Sequence, residues 1–483
     1  MTGSAILQLD ASTLSRRIAA RELSCRALMQ ASLERIAALN PAYNAIVSLR
    51  EPGALLAEAD AADAALARGE RKGWMHGFPL AVKDMVDAAG LPTTLGSLTS
   101  GKRIATRDAL FVERMKKAGA IVVGKTNTPE FALGSHTFNN VFGITRNAWD
   151  ATKSAGGSSG GAAVALALGM LPVADGSDMG GSLRNPAAFN NVVGLRPSRG
   201  RVPAVPADDV FFQQLSTEGP MGRTTEDVAR LLCTMAGWDA RAPLSLTDTL
   251  PEPSAADPIA CEPGRRIGWL GSVWPDLPLQ QGVRELCEAA LRRLQDAGFA
   301  VEPCTLDVPR DVNWSAWLRL RQMLVGGKLG AVYSQERLRA QMKPEAQWEV
   351  EQSFGLTAAQ LYQASAQRTQ VYQAFVRLFE RYDFVVAPSA QLFPFPAEQH
   401  WPREIAGVAM DTYHRWMEIV TPFTLAGLPV ASVPVGFGAE GLPMGMQLAG
   451  PPHADLRVLA LARAWEAISP WSRQRPPALA AQA

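Results

Sequence analysis

Between residues 80 and 174 the chain alternates two textures, and that alternation limits its fold more than any other feature. Leu80-Ala81-Val82 and Ala120 to Val123 are apolar runs of strand length. Phe111 to Ala118 and Gly160 to Met170 have helical length, and Pro172 to Ala174 opens another strand. Strands alternating with helices predict a parallel-rich α/β sheet, because a parallel neighbour needs a crossover long enough to hold a helix. Ahead of this block, Ser24 is the expected N-cap of a helix from Cys25 to Leu39, Asn40-Pro41 its expected stop, and Ala54 to Arg68 the next helix. Further strands are expected at Ile267 to Leu270, Phe384 to Ala387 and Ala431 to Val435, with an amphipathic helix at Gly282 to Ala297. Asn313 to Gln373 reads as mostly helical, and residues 251–263 (PEPSAADPIACEP) as a surface connection. The expected fold class is therefore α/β: one large domain over residues 1–483, a twisted, mixed, largely parallel sheet covered by helices on both faces.

Charge and cysteine content narrow the function. Lys and Arg number 47 against 46 Asp and Glu, a net charge of +1. Nucleic acid and anionic membranes demand an excess of base that this chain lacks. Charged residues make up only 19%, below the roughly 25% of an average globular domain, which suits a long chain that buries much of its surface. The five cysteines (Cys25, Cys233, Cys261, Cys287, Cys304) are scattered, without the short spacing of a zinc or iron–sulfur site. MTGSAILQLD carries neither a basic region nor the apolar core of a secretory signal. The most apolar run, Gly160 to Ala174, contains Pro172 and is too short to span a bilayer. The expected setting is the cytoplasm, with no cofactor and no metal.

Three glycine-rich stretches compete as functional sites. Gly119 to Thr126 (GAIVVGKT) satisfies the written pattern of a phosphate-binding loop. Its four middle residues are apolar and mostly β-branched, however, so a strand running into a turn is the favoured reading. Gly156-Gly157-Ser158-Ser159-Gly160 matches the G-x-S-x-G nucleophile elbow, and His400, His414 and His453 are available as downstream bases. No apolar strand leads into Gly156, which weighs against the elbow without excluding it. The third stretch runs from Asp175 through Gly180-Gly181-Ser182 to Arg184. Two glycines before a serine let successive backbone N–H groups converge on one point, as an oxyanion hole for acyl transfer requires.

Several motifs in order and spacing carry a resemblance. They are Gly77-Phe78-Pro79-Leu80-Ala81-Val82-Lys83-Asp84, Gly124 to Phe131, Gly156 to Gly161, Asp178 to Arg184 and Gly194-Leu195-Arg196-Pro197. Downstream stand Glu218-Gly219-Pro220-Met221 with Arg223, and Gly441-Leu442-Pro443 with Gln447. Together they resemble the amidase signature family of serine hydrolases, densely from about residue 75 to 225, more weakly to about 300, and again from about 383 to 470. The resemblance implies that family's fold, with a signature core at about 65–240 and a helical substrate-cleft elaboration at about 305–420. It implies a triad of Lys83 as base, Ser158 on a cis peptide bond as proton shuttle and Ser182 as nucleophile, 75 and 24 residues apart. The implied oxyanion-hole amides are those of Met179, Gly180, Gly181 and Ser182, with Met179 where Thr or Ile is usual. Ser159, Ser177, Asp178 and Arg184 resemble the supporting hydrogen-bond shell, although a structural ion pair is an equal reading of Asp178 and Arg184.

Physical chemistry supports the assignment separately. A serine hydroxyl is a weak nucleophile until a positioned base takes its proton, and a lysine is that base only when neutral, which burial favours. Lys83 follows a short apolar strand, so its stem is expected to be buried. The expected activity is hydrolysis of a small carboxamide to an acid and an amine or ammonia through an acyl-enzyme. The alternatives are the glutaminase subunit of a tRNA-dependent amidotransferase, or an esterase or carbamate hydrolase using the same triad. Residues 205–217 (VPADDVFFQQLST) do not look like the glutaminase subunit's segment. The expected partner is a small-molecule amide, with no nucleic acid, no membrane and a homodimer left open. Trp314, Trp317, Trp348, Trp401 and Trp416 either line a pocket or pack the core, packing being favoured for each. His136, Phe138 and Phe142 are weak pocket candidates.

Overall fold

The strand-length runs assemble into an eight-stranded sheet and a smaller three-stranded one. The computed structural model describes residues 2–101, 103–212, 215–252 and 260–480. In spatial order the large sheet consists of Ala300–Pro303, Arg266–Trp269, Phe384–Pro388, Pro443–Ala449, Val430–Phe437, Val193–Arg196, Thr217–Gly222 and Val173–Asp178. The sheet is mixed, as expected, but parallel pairing is confined to the two contacts among its first three strands; the other five contacts are antiparallel. Parallel pairs are thus the smaller share. The helix–strand alternation lies in residues 80–174, where Pro79–Lys83 does pair parallel with Ile121–Thr126 in the small sheet. Farther on, Val430–Phe437 and Pro443–Ala449 are joined by a turn too short for a crossover, and a short turn permits only an antiparallel hairpin.

Helices cover both faces. Along the Thr217–Gly222 strand, Gly219 faces Leu183 at the start of the Arg184–Asn190 helix, while Gly222 faces Val228 of the Thr225–Met235 helix. Side chains alternate faces along a strand, so an odd and an even position report opposite sides. The Gly160–Ala167 helix is wholly buried and lies so close to neighbouring backbone that a Cβ on Gly161 would sit 2.4 Å from the Asn127 nitrogen. That close approach is one reason the Gly156–Gly161 stretch is glycine-rich.

Most expected elements appear within a residue or two of their predicted limits. Ser24 caps its helix, with its hydroxyl accepting the Ala27 N–H at 3.1 Å, but the helix runs through Pro41 to Tyr43. It ends where Asn44 turns left-handed, and the Asn40 amide oxygen ties the following chain back by accepting the N–H groups of Ala45 and Ile46. The interval after 310 is helical as expected: Arg310–Tyr333, Glu336–Arg339, Pro344–Ser353 and Ala358–Phe379. Of the expected surface connection, residues 253–259 lie outside the described residues. One apolar core links the N-terminal helices, both sheets and the Arg310–Tyr333 and Ala358–Phe379 helices, and a small satellite joins Leu133, Val325, Leu329, Met342, Ala346, Val350 and Tyr413. Among the described residues no helix is long and apolar enough to cross a membrane.

Candidate active site

The Pro79–Lys83 strand is buried at every position and delivers Lys83 to the interior with only 1% of its surface exposed. Its amine Nζ lies 2.8 Å from Ser158 Oγ, 2.9 Å from Ser159 Oγ and 3.0 Å from Ser177 Oγ. Ser158 and Ser159 stand at the N-terminus of the Gly160–Ala167 helix, and Ser177 near the end of the Val173–Asp178 strand. The Gly157–Ser158 peptide is cis, and the Gly157 carbonyl accepts the Ser135 hydroxyl. Ser182 joins this group through its carbonyl, which accepts the Ser159 N–H at 3.2 Å. Lys83, Ser158, Ser159, Ser177 and Ser182 are therefore brought together from three separate elements.

Burial governs the amine, which among the described residues has no carboxylate bonded to it. Desolvation pushes Lys83 down to about 8 from 10.5, while Glu218, Asp175 and Asp178 pull the other way. Asp175 accepts the Lys83 backbone N–H on both oxygens at 3.3 Å, joining the two sheets where their strands do not pair. Burial lifts Asp175 to about 6 and Glu218, on the adjacent strand, to about 7.

The segment from Asp178 to Arg184 is shaped by one ion pair. Asp178 Oδ1 accepts the Gly181 N–H at 2.9 Å and Oδ2 accepts the Leu183 N–H at 3.1 Å. Arg184 grips the same carboxylate through Nε at 3.0 Å and a terminal nitrogen at 2.9 Å, and Arg196 lies 3.5 Å away. Burial alone would raise Asp178, but Arg184 and Arg196 outweigh it and hold the carboxyl well below the usual range. Arg184 also reaches the Val420 carbonyl, the Gln447 amide oxygen and the Thr424 hydroxyl at 2.9–3.0 Å, so the loop is anchored to the Pro443–Ala449 hairpin strand and to the Thr421–Ala426 helix that precedes the hairpin. One expected donor is thereby spoken for: the Gly181 N–H points at Asp178. The N–H groups of Met179, Gly180 and Ser182 donate to no protein acceptor among the described residues.

Over this loop lies a cluster that the sequence did not single out. Arg321, on the Arg310–Tyr333 helix, donates from Nε to Glu349 at 2.6 Å and from a terminal nitrogen to the Tyr413 hydroxyl at 2.7 Å. Its other terminal nitrogen lies 3.3 Å from Met179 Sδ. The indole of Trp317 covers Gly180, 3.2 Å from where a Cβ would stand. Trp314, Trp317 and Trp348 enclose His414, which burial keeps neutral. Trp314, Trp317 and Trp416 are core residues, as favoured, while Trp401 and Trp416 also line a small cavity with His136, Phe138 and His400. Phe142 is not among that cavity's lining.

The two competing motifs resolve on geometry. Gly124, Lys125 and Thr126 are buried strand residues, and the Lys125 amine donates to the Val86 carbonyl, so no phosphate loop forms. His400 stacks on Phe138, His414 bonds Thr412, and the His453 N–H bonds Ser198; none bonds Ser158 or Ser159 among the described residues. Nor is any group of three or more His, Cys, Asp or Glu side chains among them arranged to hold a metal ion.

Comparison with known proteins places this constellation. The amidase family model matches residues 27–459, and the chain belongs to the amidase family. It is an enzyme of the class that hydrolyses carbon–nitrogen amide bonds. An acylamidase of Rhodococcus erythropolis is 32% identical, with 99% of this chain and 98% of that protein covered. A subunit of the glutamyl-tRNA(Gln) amidotransferase of Symbiobacterium thermophilum is 35% identical, over 97% and 98%. A bacterial aryl acylamidase of the amidase signature family superimposes with a TM-score of 0.90 at 30% identity, over 96% and 97% of the chains.

Proposed function

We propose that this protein hydrolyses a small carboxamide through an acyl-enzyme on Ser182, with Lys83 as base and Ser158 as proton shuttle. The observation that carries the reading is an almost wholly buried lysine amine ringed by three serine hydroxyls and, among the described residues, bonded to no carboxylate. A neutral amine has two N–H groups and one lone pair, so three hydroxyls match it: two accept and one donates. Ser158 as the donor gives a path for the Ser182 proton to Nζ. Ser182 Oγ then bonds the carbonyl carbon, and the N–H groups of Met179, Gly180 and Ser182 are the free donors for the oxyanion. The C–N bond breaks as the proton returns through Ser158 to the departing amine, and water attacks the acyl-enzyme by the same route reversed. Asp178 and Arg184 act as positioning residues that fold the loop.

The helices of about 305–420 form one wall of the substrate cleft, and aryl or alkyl groups are the expected acyl or amine substituents beside Trp317 and the Trp401–Trp416 cavity. The free state of the five cysteines suits a reducing cytoplasm. The 35% identity to an amidotransferase component supports a second reading, glutaminase chemistry within a complex. A panel of aryl, aliphatic and amino-acid amides, with glutamine included, separates them. Mass spectrometry of quenched reactions is expected to find the acyl mass on Ser182 with an aryl or alkyl amide; if no amide, ester or carbamate acylates Ser182, the proposal fails.

A further inference from the structure

Glu218 stands opposite Ser177 in the antiparallel pairing of Thr217–Gly222 with Val173–Asp178. Directly opposed residues share a face, with Cβ atoms about 5 Å apart, and the face in question is the one from which Ser177 touches the Lys83 amine. Ser177 is 8% exposed and Glu218 is half-buried, so Glu218 stands beside a serine that holds the amine and keeps part of its surface in solvent. It accepts no protein hydrogen bond and forms no ion pair within 4 Å among the described residues, unlike Asp175 and Asp178, which are held by backbone N–H groups or arginines. The charged groups that bear on it are Lys83, Asp175 and, from the Arg310–Tyr333 helix, Lys328. Those that bear on Lys83 are Glu218, Asp175 and Asp178, of which Asp178 is already neutralised by Arg184 and Arg196.

We propose that Glu218 is a positioning residue for the proton of the hydrolytic centre, its unpartnered carboxylate beside Ser177 setting how firmly Lys83 holds a proton. This rests on Lys83 being the base. A negative charge close to an amine favours the ammonium form, so ionised Glu218 makes Lys83 a stronger but less available base, and among the carboxylates acting on Lys83 its contribution ranks first. Burial alone would leave the amine free at lower pH; the glutamate moves the onset of activity towards neutral and alkaline conditions. Because nothing among the described residues donates to the Glu218 carboxylate, Glu218→Gln removes the charge without orphaning a buried donor.

The test is the pH dependence of Ser182 phosphonylation by a fluorophosphonate, which needs no knowledge of the natural amide. Ser182 Oγ bonds phosphorus, fluoride leaves, and the hydroxyl proton passes through Ser158 to Lys83. Glu218→Gln is expected to lower the midpoint of the acid limb by about one pH unit, whereas Glu218→Asp keeps most of the original midpoint. An unchanged or raised midpoint in Glu218→Gln, or an equal shift in Glu218→Asp, overturns the proposal. Lys83→Ala is the control. If it labels at the wild-type rate, the assignment of Lys83 as base fails and this inference with it. If Lys83→Ala is silent while Glu218→Gln keeps the wild-type midpoint, only the role of Glu218 is lost.

Discussion

Lys83 and Arg321 are both buried cationic side chains beside the loop of residues 179–182, yet their partners differ. Lys83 touches three neutral hydroxyls, and burial brings it down to about 8. Arg321 touches a carboxylate and a phenol; burial opposes its charge, but Glu349 and Tyr413 outweigh burial and keep the guanidinium charged. One site leaves its proton exchangeable near neutral pH and the other fixes it. The lesson is that burial alone does not make a base. What matters is whether an ionised partner is bonded to the buried cation.

The sharpest way to break that contrast is to remove the exchangeable proton. Lys83→Met is expected to lower kcat/KM for any accepted amide by about 10³-fold or more while leaving the circular dichroism spectrum unchanged. As the proposed base, Lys83 acts in its neutral form, so activity is expected to rise as pH passes upward through about 8. Stability follows the same pH direction. The folded value lies below the unfolded value of 10.5, so burying Lys83 costs stability in full below about pH 8, and the cost fades towards pH 10.5. Lys83→Met is therefore expected to raise stability at pH 7 by about 1–3 kcal/mol, a gain that shrinks by pH 10.5. Urea denaturation at the two pH values checks it, and a variant that is active, or destabilised more at pH 7 than at pH 10.5, contradicts the assignment.

The fixed proton predicts the reverse. Arg321→Met leaves Glu349 buried and unpaired and is expected to cost about 3–5 kcal/mol of stability. Combining it with Glu349→Gln recovers part of that loss, because the uncompensated charge is gone. Thermal denaturation of the two singles and the double measures the coupling. Strict additivity would mean that the pair is not a unit.

The two regions also differ in how far the sequence disclosed them. Lys83, Ser158 and Ser182 lie in the motifs that carry the resemblance to the amidase signature family, and it is that resemblance which singled them out. Asp178 and Arg184 were legible as a pair, six residues apart across one turn. Arg321, Glu349 and Tyr413 come from two helices and a loop, 28 and 64 residues apart, and meet only through tertiary packing. No periodicity encodes that. The Gly181 N–H, which the resemblance places in the oxyanion hole, differs for a related reason: the turn of the loop aims it at Asp178. The balance of strand pairing was hidden too, since an apolar run does not state the direction of its neighbour.

The two glycines before Ser182 give the finest comparison, because each abuts a different region. Gly181 has φ +89°, and a Cβ there would fall 1.8 Å from the Asn185 side-chain oxygen. Asn185 is buried within the Arg184–Asn190 helix, so it has little room to retreat. Gly181→Ala should therefore displace Asp178's hold on the loop and lower kcat by on the order of 10²-fold, with a stability loss of about 1–3 kcal/mol. At Gly180 the added Cβ meets only the edge of the Trp317 indole at 3.2 Å, so a shift of a few tenths of an ångström relieves it. Gly180→Ala is expected to keep kcat within about tenfold and act mainly on KM for bulky amides, since the ring moves while the amides stay in place. Equal losses of kcat in the two variants would show that the aromatic wall positions the donors as strictly as the Asp178 pair does.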